Sequence, residues 1–118
     1  MKIEAMTEKY ERWLGDESRI RGRADAVCFP ESFEEAREAV SHARRAGLHI
    51  TPQGARTGLT GGAVPEGGLV VDCQGLKDLE LREGPVLYAG AGATLTQLHA
   101  LLLKEPWVFP PNPTEESA

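Results

Sequence analysis

Four glycines within nine residues, Gly54, Gly58, Gly61 and Gly62, constrain this chain more than any other feature. They lie in "PQGARTGLTGGAVP", Pro52 to Pro65, directly after the short apolar run "LHIT". Glycine loses more backbone freedom on folding than any other residue, so an ordered loop of this kind must make contacts that offset the loss. Glycines reach positive φ and let successive N–H groups converge on one point. Such a concave nest binds anions, phosphates above all, and a strand leading into it fixes where it points. A long surface turn is the competing reading, but turns rarely need four glycines and two threonines. The spacing excludes a P-loop, because no lysine follows any of these glycines. It also excludes a dinucleotide fingerprint, because Arg56 stands where the second glycine belongs. The later "GAGATL" (90–95) carries Leu95 in place of the third glycine.

Around the loop the pattern alternates between strand and helix. "AVCF" from Ala26 is a short apolar run ended by Pro30, which suits a strand. Ser32 and Glu35 have capping-box spacing, and Phe33, Ala36, Ala39, Val40 and Ala43 recur on one helical face. Acidic residues early, Arg44 and Arg45 late, and Gly47 after them complete a helix over 33–46. With "LHIT" as the next strand, residues 26–51 form a β-α-β unit. "LVVDC" (69–73), "LELR" (79–82) and "VLYAG" (86–90) read as strands, the last two as a hairpin across "EGP". Thr94 and Gln97 form a second capping box for a helix over 95–104, with Leu95, Leu98, Leu101 and Leu102 as its buried stripe. Met6, Tyr10, Trp13 and Leu14 predict a short amphipathic helix, followed by a loop to residue 22. The expected fold is α+β, a small mixed sheet with both helices packed on it. Residues 1–22 are an N-terminal helix and loop, and residues 23–118 the main unit.

Composition excludes several function classes. A chain of 118 residues with 41% hydrophobic and 26% charged residues is one soluble globular unit at most. A net charge of -5 argues against a nucleic-acid surface. No apolar run approaches the roughly 18 residues of a membrane span, and the N-terminus lacks a signal-peptide pattern, so the expected location is cytoplasmic. Cys28 and Cys73 sit in apolar surroundings and read as buried free thiols. His42, His49 and His99 form no constellation, so neither catalytic residues nor metal ligands are assigned. Trp13 and Trp107 read as packing residues rather than stacking platforms.

The stretch "FPESFEEAREAVSHARRAGLHITPQGARTGLTGGAVPEGGLVVD" resembles the PCMH-type FAD-binding domain of vanillyl-alcohol-oxidase-like enzymes. The glycolate oxidase D subunit, D-lactate dehydrogenases and D-2-hydroxyglutarate dehydrogenases are the nearest in pattern. Pro52, Gly54, Thr57, Gly58, Gly61 and Gly62 match the family's "P-x-G-x-x-T-G-x-x-G-G". "AGAGAT" (89–94) resembles a later family stretch, and "PPNPT", including Pro111, Asn112 and Thr114, resembles the "PPDPT" segment beside the flavin. Arg56 replaces the family's usual glycine or asparagine, and either a solvated side chain or a phosphate contact fits it. Asn112 replaces an aspartate.

The resemblance implies the first subdomain of a PCMH-type fold, truncated at its C-terminal end. It implies FAD held at the pyrophosphate by Pro52, Gln53, Gly54, Ala55, Arg56, Thr57, Gly58, Leu59, Gly61 and Gly62, with Pro111, Asn112 and Thr114 nearby. It further implies a 2-hydroxy-acid dehydrogenase or oxidase as the complete enzyme. Hydride would pass to the flavin, and electrons would go on to an acceptor or partner subunit other than NAD. This segment alone would be inactive. Some relatives attach flavin through a histidine in this loop; residues 53–62 contain neither histidine nor cysteine, so the FAD is expected to be non-covalent. A reductase that makes UDP-N-acetylmuramate, or a non-catalytic phosphate-binding module, are the alternatives.

Overall fold

The computed structural model describes residues 1–111. Its centre is strand β4 (Leu69–Asp72), in which all four residues are buried. β1 (Ile3–Ala5), β2 (Ala26–Cys28) and β3 (Ile50–Gln53) complete a four-stranded sheet in the order β1-β2-β4-β3. β2 and β3 both run parallel to β4, and β1 pairs antiparallel with β2. The β2-α1-β3 unit is therefore present, but its crossover passes the β4 position, since β4 inserts between the two strands. A strand buried on both faces reads as an uninterrupted apolar run, which is what "LVV" provides.

Helix α1 (Phe33–Ala46) covers one face. Ala39 and Ala43 pack with Cys28, Leu69 and Val71 in one core cluster. The apolar stripe expected from the sequence is only partly buried: Phe33 is 76% and Val40 52% exposed. Small alanines meet the sheet because they let the helix backbone approach closely, and the bulky residues turn outward. Ser32 Oγ accepts from the Glu35 N–H at 3.2 Å, as the capping box requires. The return bond differs, since Glu35 Oε2 accepts from Glu31 N–H at 2.7 Å. Gly47 ends the helix in the left-handed conformation.

The opposite face of the sheet is covered by the N-terminal segment. In place of one amphipathic helix, residues 1–14 form β1 and a 3-10 turn over Glu8–Leu14 that is kinked at Tyr10. Tyr10, Val27 and Val70 form the second core cluster, joined by Met6, Trp13 and Phe29. The rings of Tyr10, Trp13 and Phe29 lie 5.3–5.7 Å apart, within the range of favourable edge and tilted aromatic pairs. Four apolar or aromatic positions in fourteen residues satisfy a helical period equally well. The tie of β1 to β2 decides the outcome against a regular helix.

β5 (Leu79–Arg82) and β6 (Val86–Ala89) form the expected hairpin, as a separate two-stranded sheet. Helix α2 (Leu95–Leu102) carries the full Thr94/Gln97 capping box. Leu98 and Leu102 are buried in it, and the expected helix over 95–104 stops at Leu102. The glycine stretch before it is tied down by Gly90 N–H to Asp78 O (2.7 Å) and Gly92 N–H to Leu76 O (2.9 Å). Trp107, read as a packing residue, is 45% exposed. Among the described residues no helix is long and apolar enough to cross a membrane.

Cys28 and Cys73 are free thiols, Cys28 with no exposed surface. Burial, and then the neighbouring Cys73 and Asp72, push the Cys28 thiol from 9.0 up to about 11. The neutral thiol is the favoured form in the fold. Its contribution to stability is complete below the unfolded thiol's value and is lost as pH rises from 9.0 through about 11. Urea midpoints are therefore expected to fall over that window and to fall less in Cys28→Ala, measured relative to its own midpoint at neutral pH. An identical fall in both proteins would assign the alkaline loss to other groups.

Candidate FAD-diphosphate site

The site forms where β3 and β4 end together. In their parallel register Gln53 stands opposite Asp72. These are the buried polar residues of the described chain, at 2% and 3% exposure. Burying polar groups is costly unless they are hydrogen-bonded, and each of these two is used to anchor a loop. Gln53 Nε2 donates to Trp13 O (2.8 Å) and Ala63 O (2.7 Å), joining the N-terminal segment to the far end of the glycine loop. Two acceptors for Nε2 fix the amide's orientation. Its Oε1 is left buried with no partner among the described residues.

Asp72 organises the near end. Oδ2 accepts from Trp13 Nε1 at 2.6 Å and pairs with Arg56 Nη1 at 3.3 Å, while Oδ1 accepts from Gln74 N–H at 2.8 Å. The Arg56 side chain is only 11% exposed, its guanidinium sits 4.9 Å from the centre of the Trp13 ring, and Nη1 lies 3.4 Å from Gln74 Oε1. The solvated reading offered by the sequence does not hold for this arginine: its side chain is largely buried and its charge is paired with Asp72.

Arg56 adopts φ 59°, and within the glycine loop only Gly61, at φ 82°, shares positive φ with it. Gly54, Gly58 and Gly62 therefore do not supply the left-handed turns expected of them. A non-glycine residue at positive φ is uncommon, and the buried ion pair offsets its cost here. What the remaining glycines leave is room: a Cβ built on Gly54 or Gly62 meets nothing within 4 Å.

Among the described residues, the backbone N–H groups of residues 55–60 donate to no other protein group outside regular strand and helix bonding. A run of unpaired donors flanked by open space at Gly54 and Gly62, with the Arg56 guanidinium in the same loop, suits a diphosphate. Thr57 is half-buried in this run, and Leu59 is 76% exposed. Pro52 and Gly54 flank the turn out of β3, and Ala55, Gly58, Gly61 and Gly62 complete the loop. Pro111 is exposed, and Asn112 and Thr114 lie outside the described residues.

Three residues of this arrangement escaped sequence reasoning as site components: Trp13, Asp72 and Gln74. Only Asp72 left a signal, a carboxylate ending the otherwise apolar "LVVD". His49 precedes β3 rather than lying in it. Among the described residues no three His, Cys, Asp or Glu side chains could hold a metal ion together.

The FAD binding domain family matches residues 24–117. The D-lactate dehydrogenase of Archaeoglobus fulgidus is 35% identical over 94 residues, covering 78% of this chain and 21% of that protein. The UDP-N-acetylenolpyruvoylglucosamine reductase of a Synechococcus strain is 30% identical over 89 residues, covering 75% of this chain and 28% of that protein. The chain thus spans between a fifth and three tenths of the length of these curated relatives. The crystal structure of aclacinomycin oxidoreductase superposes with a TM-score of 0.72 at 24% identity, covering 86% of this chain and 21% of that one, a likeness of fold. Glycine loop, α+β architecture and these matches agree, and the chain belongs to the FAD binding domain family.

Proposed function

We propose that this chain is the diphosphate-holding part of a FAD-dependent oxidoreductase, and that the whole protein oxidises a small 2-hydroxy acid of the D-lactate or glycolate type. The observation that carries the reading is the run of free amides over residues 55–60 at the end of β3, in a chain of the FAD binding domain family. When bound, FAD supplies a two-electron acceptor for the hydrogen on the substrate's α-carbon. Pro52, Gln53, Gly54, Ala55, Thr57, Gly58, Leu59, Gly61 and Gly62 shape and line the anion site. Arg56 lends positive charge from behind while Asp72 and Trp13 hold it in place. Residues 23–118 are the N-terminal part of the FAD-binding domain, with residues 1–22 as its cover. A cytoplasmic location and an electron acceptor other than NAD complete the proposal.

The hydroxy-acid substrate is supported by the D-lactate dehydrogenase relative. The reductase relative favours a second reading, in which NADPH reduces the flavin. Neither histidine nor cysteine occurs in residues 53–62, so the flavin is proposed to be held non-covalently. The complete protein is expected to purify yellow and to release free flavin into the supernatant on acid precipitation. Anaerobic addition of D-lactate or glycolate is expected to bleach the flavin band. Bleaching by NADPH alone would replace this reading with the reductase, and a flavin adduct on residues 53–62 would overturn the non-covalent site.

A further inference from the structure

Residues 15–21 form a small closed turn, held by an antiparallel bridge between Gly15 and Arg21. Its tip lies on the far half of the glycine loop. Ile20 Cδ1 stands 3.3 Å and Ser18 Oγ 3.9 Å from a Cβ placed on Gly61, and Asp16 Oδ2 stands 3.6 Å from one placed on Gly58. Asp16 Oδ1 accepts from Ser18 N–H at 2.8 Å, which aims the carboxylate. Oδ2 is buried, and no well-aligned donor reaches it among the described residues, although the Gly61 and Ala63 amides lie within electrostatic reach. The Ser18 hydroxyl first, and then the Ser18, Ala63 and Gly61 amides, hold the carboxyl below the ordinary carboxylate range against the opposing effect of burial.

A negative group therefore already stands against the far half of the loop, and it fills the place badly. One oxygen is committed to Ser18, so only the other stands against the loop, 3.6 Å from a Cβ placed on Gly58, whereas a phosphate would present several oxygens. We propose that Asp16 is an internal anion seated in the Gly58–Ala63 half of the glycine loop, where it competes with phosphate and leaves residues 55–57 as the half open to an incoming diphosphate. The proposal rests on the loop being a phosphate site. Its consequence is selectivity. A small free anion gains only loop contacts and meets a like charge beside them, whereas a cofactor with further contacts outweighs the repulsion.

Inorganic pyrophosphate is the probe, titrated into 15N-labelled protein and followed at each backbone amide. Asp16→Asn removes the charge while keeping an oxygen for Ser18. It is expected to tighten pyrophosphate binding at least about tenfold and to bring the Gly61 and Ala63 amides into the set that shifts. In the unsubstituted protein only residues 55–57 should respond. Glu17→Gln removes a neighbouring charge and should change affinity by less than about twofold. If Asp16→Asn does not give a native-like spectrum, Asp16→Ser provides the same comparison. Unchanged or weaker binding in the variant, an equal effect from Glu17→Gln, or no shift at Gly61 and Ala63 would each overturn the proposal. If pyrophosphate reaches those amides in the variant while FAD binds neither protein, the flavin reading fails and this one stands.

Discussion

Asp72→Ala is expected to cost about 3–5 kcal/mol of folding stability, the range for removing one partner of a buried ion pair. Three groups lose their acceptor together: the Arg56 guanidinium, the Trp13 indole N–H and the Gln74 N–H. Arg56 is the costly one, because its side chain is only 11% exposed. A small domain has roughly 5–15 kcal/mol in total, so the variant should be marginal near body temperature. Asp72→Asn keeps an acceptor for Trp13 or Gln74 and should lose less. Urea unfolding followed by tryptophan fluorescence distinguishes the two, and a loss below about 1 kcal/mol in Asp72→Ala would mean the pair contributes no more than a surface ion pair. The same variant should bind FAD weakly even in its folded fraction, because Arg56 then no longer holds the loop in shape.

Gly68→Val is expected to leave the fold marginal, as Asp72→Ala does. Gly68 has φ 75°, and a Cβ there would stand 2.2 Å from His49 O and 2.8 Å from His49 N. The positive φ costs about 1–2 kcal/mol for a residue with a side chain. The overlap adds to it, because the backbone it strikes leads into β3 and cannot rotate away as a side chain would. Overpacking ordinarily costs about 1–3 kcal/mol, which brings the loss to about 2–5 kcal/mol. Gly68 N–H also donates to Asp25 Oδ2 at 2.7 Å, and Gly68 O accepts from both Asp25 and Ala26. Moving the backbone would therefore disturb β2 as well as β3. The contrast is Gly54→Ala, where the added Cβ meets nothing within 4 Å, and which should keep the stability of the parent. Recovery of folded Gly68→Val with a midpoint close to the parent would show that β3 and β4 can separate at this point without loss.

The local signals were strong where a single short window contains the physics. Helix α1 is delimited by Ser32 and Gly47 and helix α2 opens on Thr94 and Gln97 because caps satisfy orphan backbone groups within four residues. The hairpin across residues 83–85 is equally local. The glycine loop reads as an anion site because few other structures need so much bare backbone after a strand. The same reading misjudged which glycines need positive φ, since glycine content reveals permission for a conformation and not its use. At Arg56 the conformation is used by a residue that the local pattern disfavours.

What the sequence determined by itself was the α+β alternation, the place of the loop after β3 and the family to which the chain belongs. The first two rest on periodicity, capping or spacing within a few residues, and the family on the resemblance of several motifs in order along the chain. Only the tertiary structure decided that β4 lies between β2 and β3, which sets Gln53 opposite Asp72 at the C-terminal ends of β3 and β4. It alone decided that Arg56 turns inward, because its partners Asp72 and Trp13 come from a strand and an N-terminal turn distant along the chain. It alone brought Asp16 against Gly58 and Gly61. Strand order and the partnering of a buried charge depend on contacts between segments far apart in sequence, and no local pattern records which segments will meet.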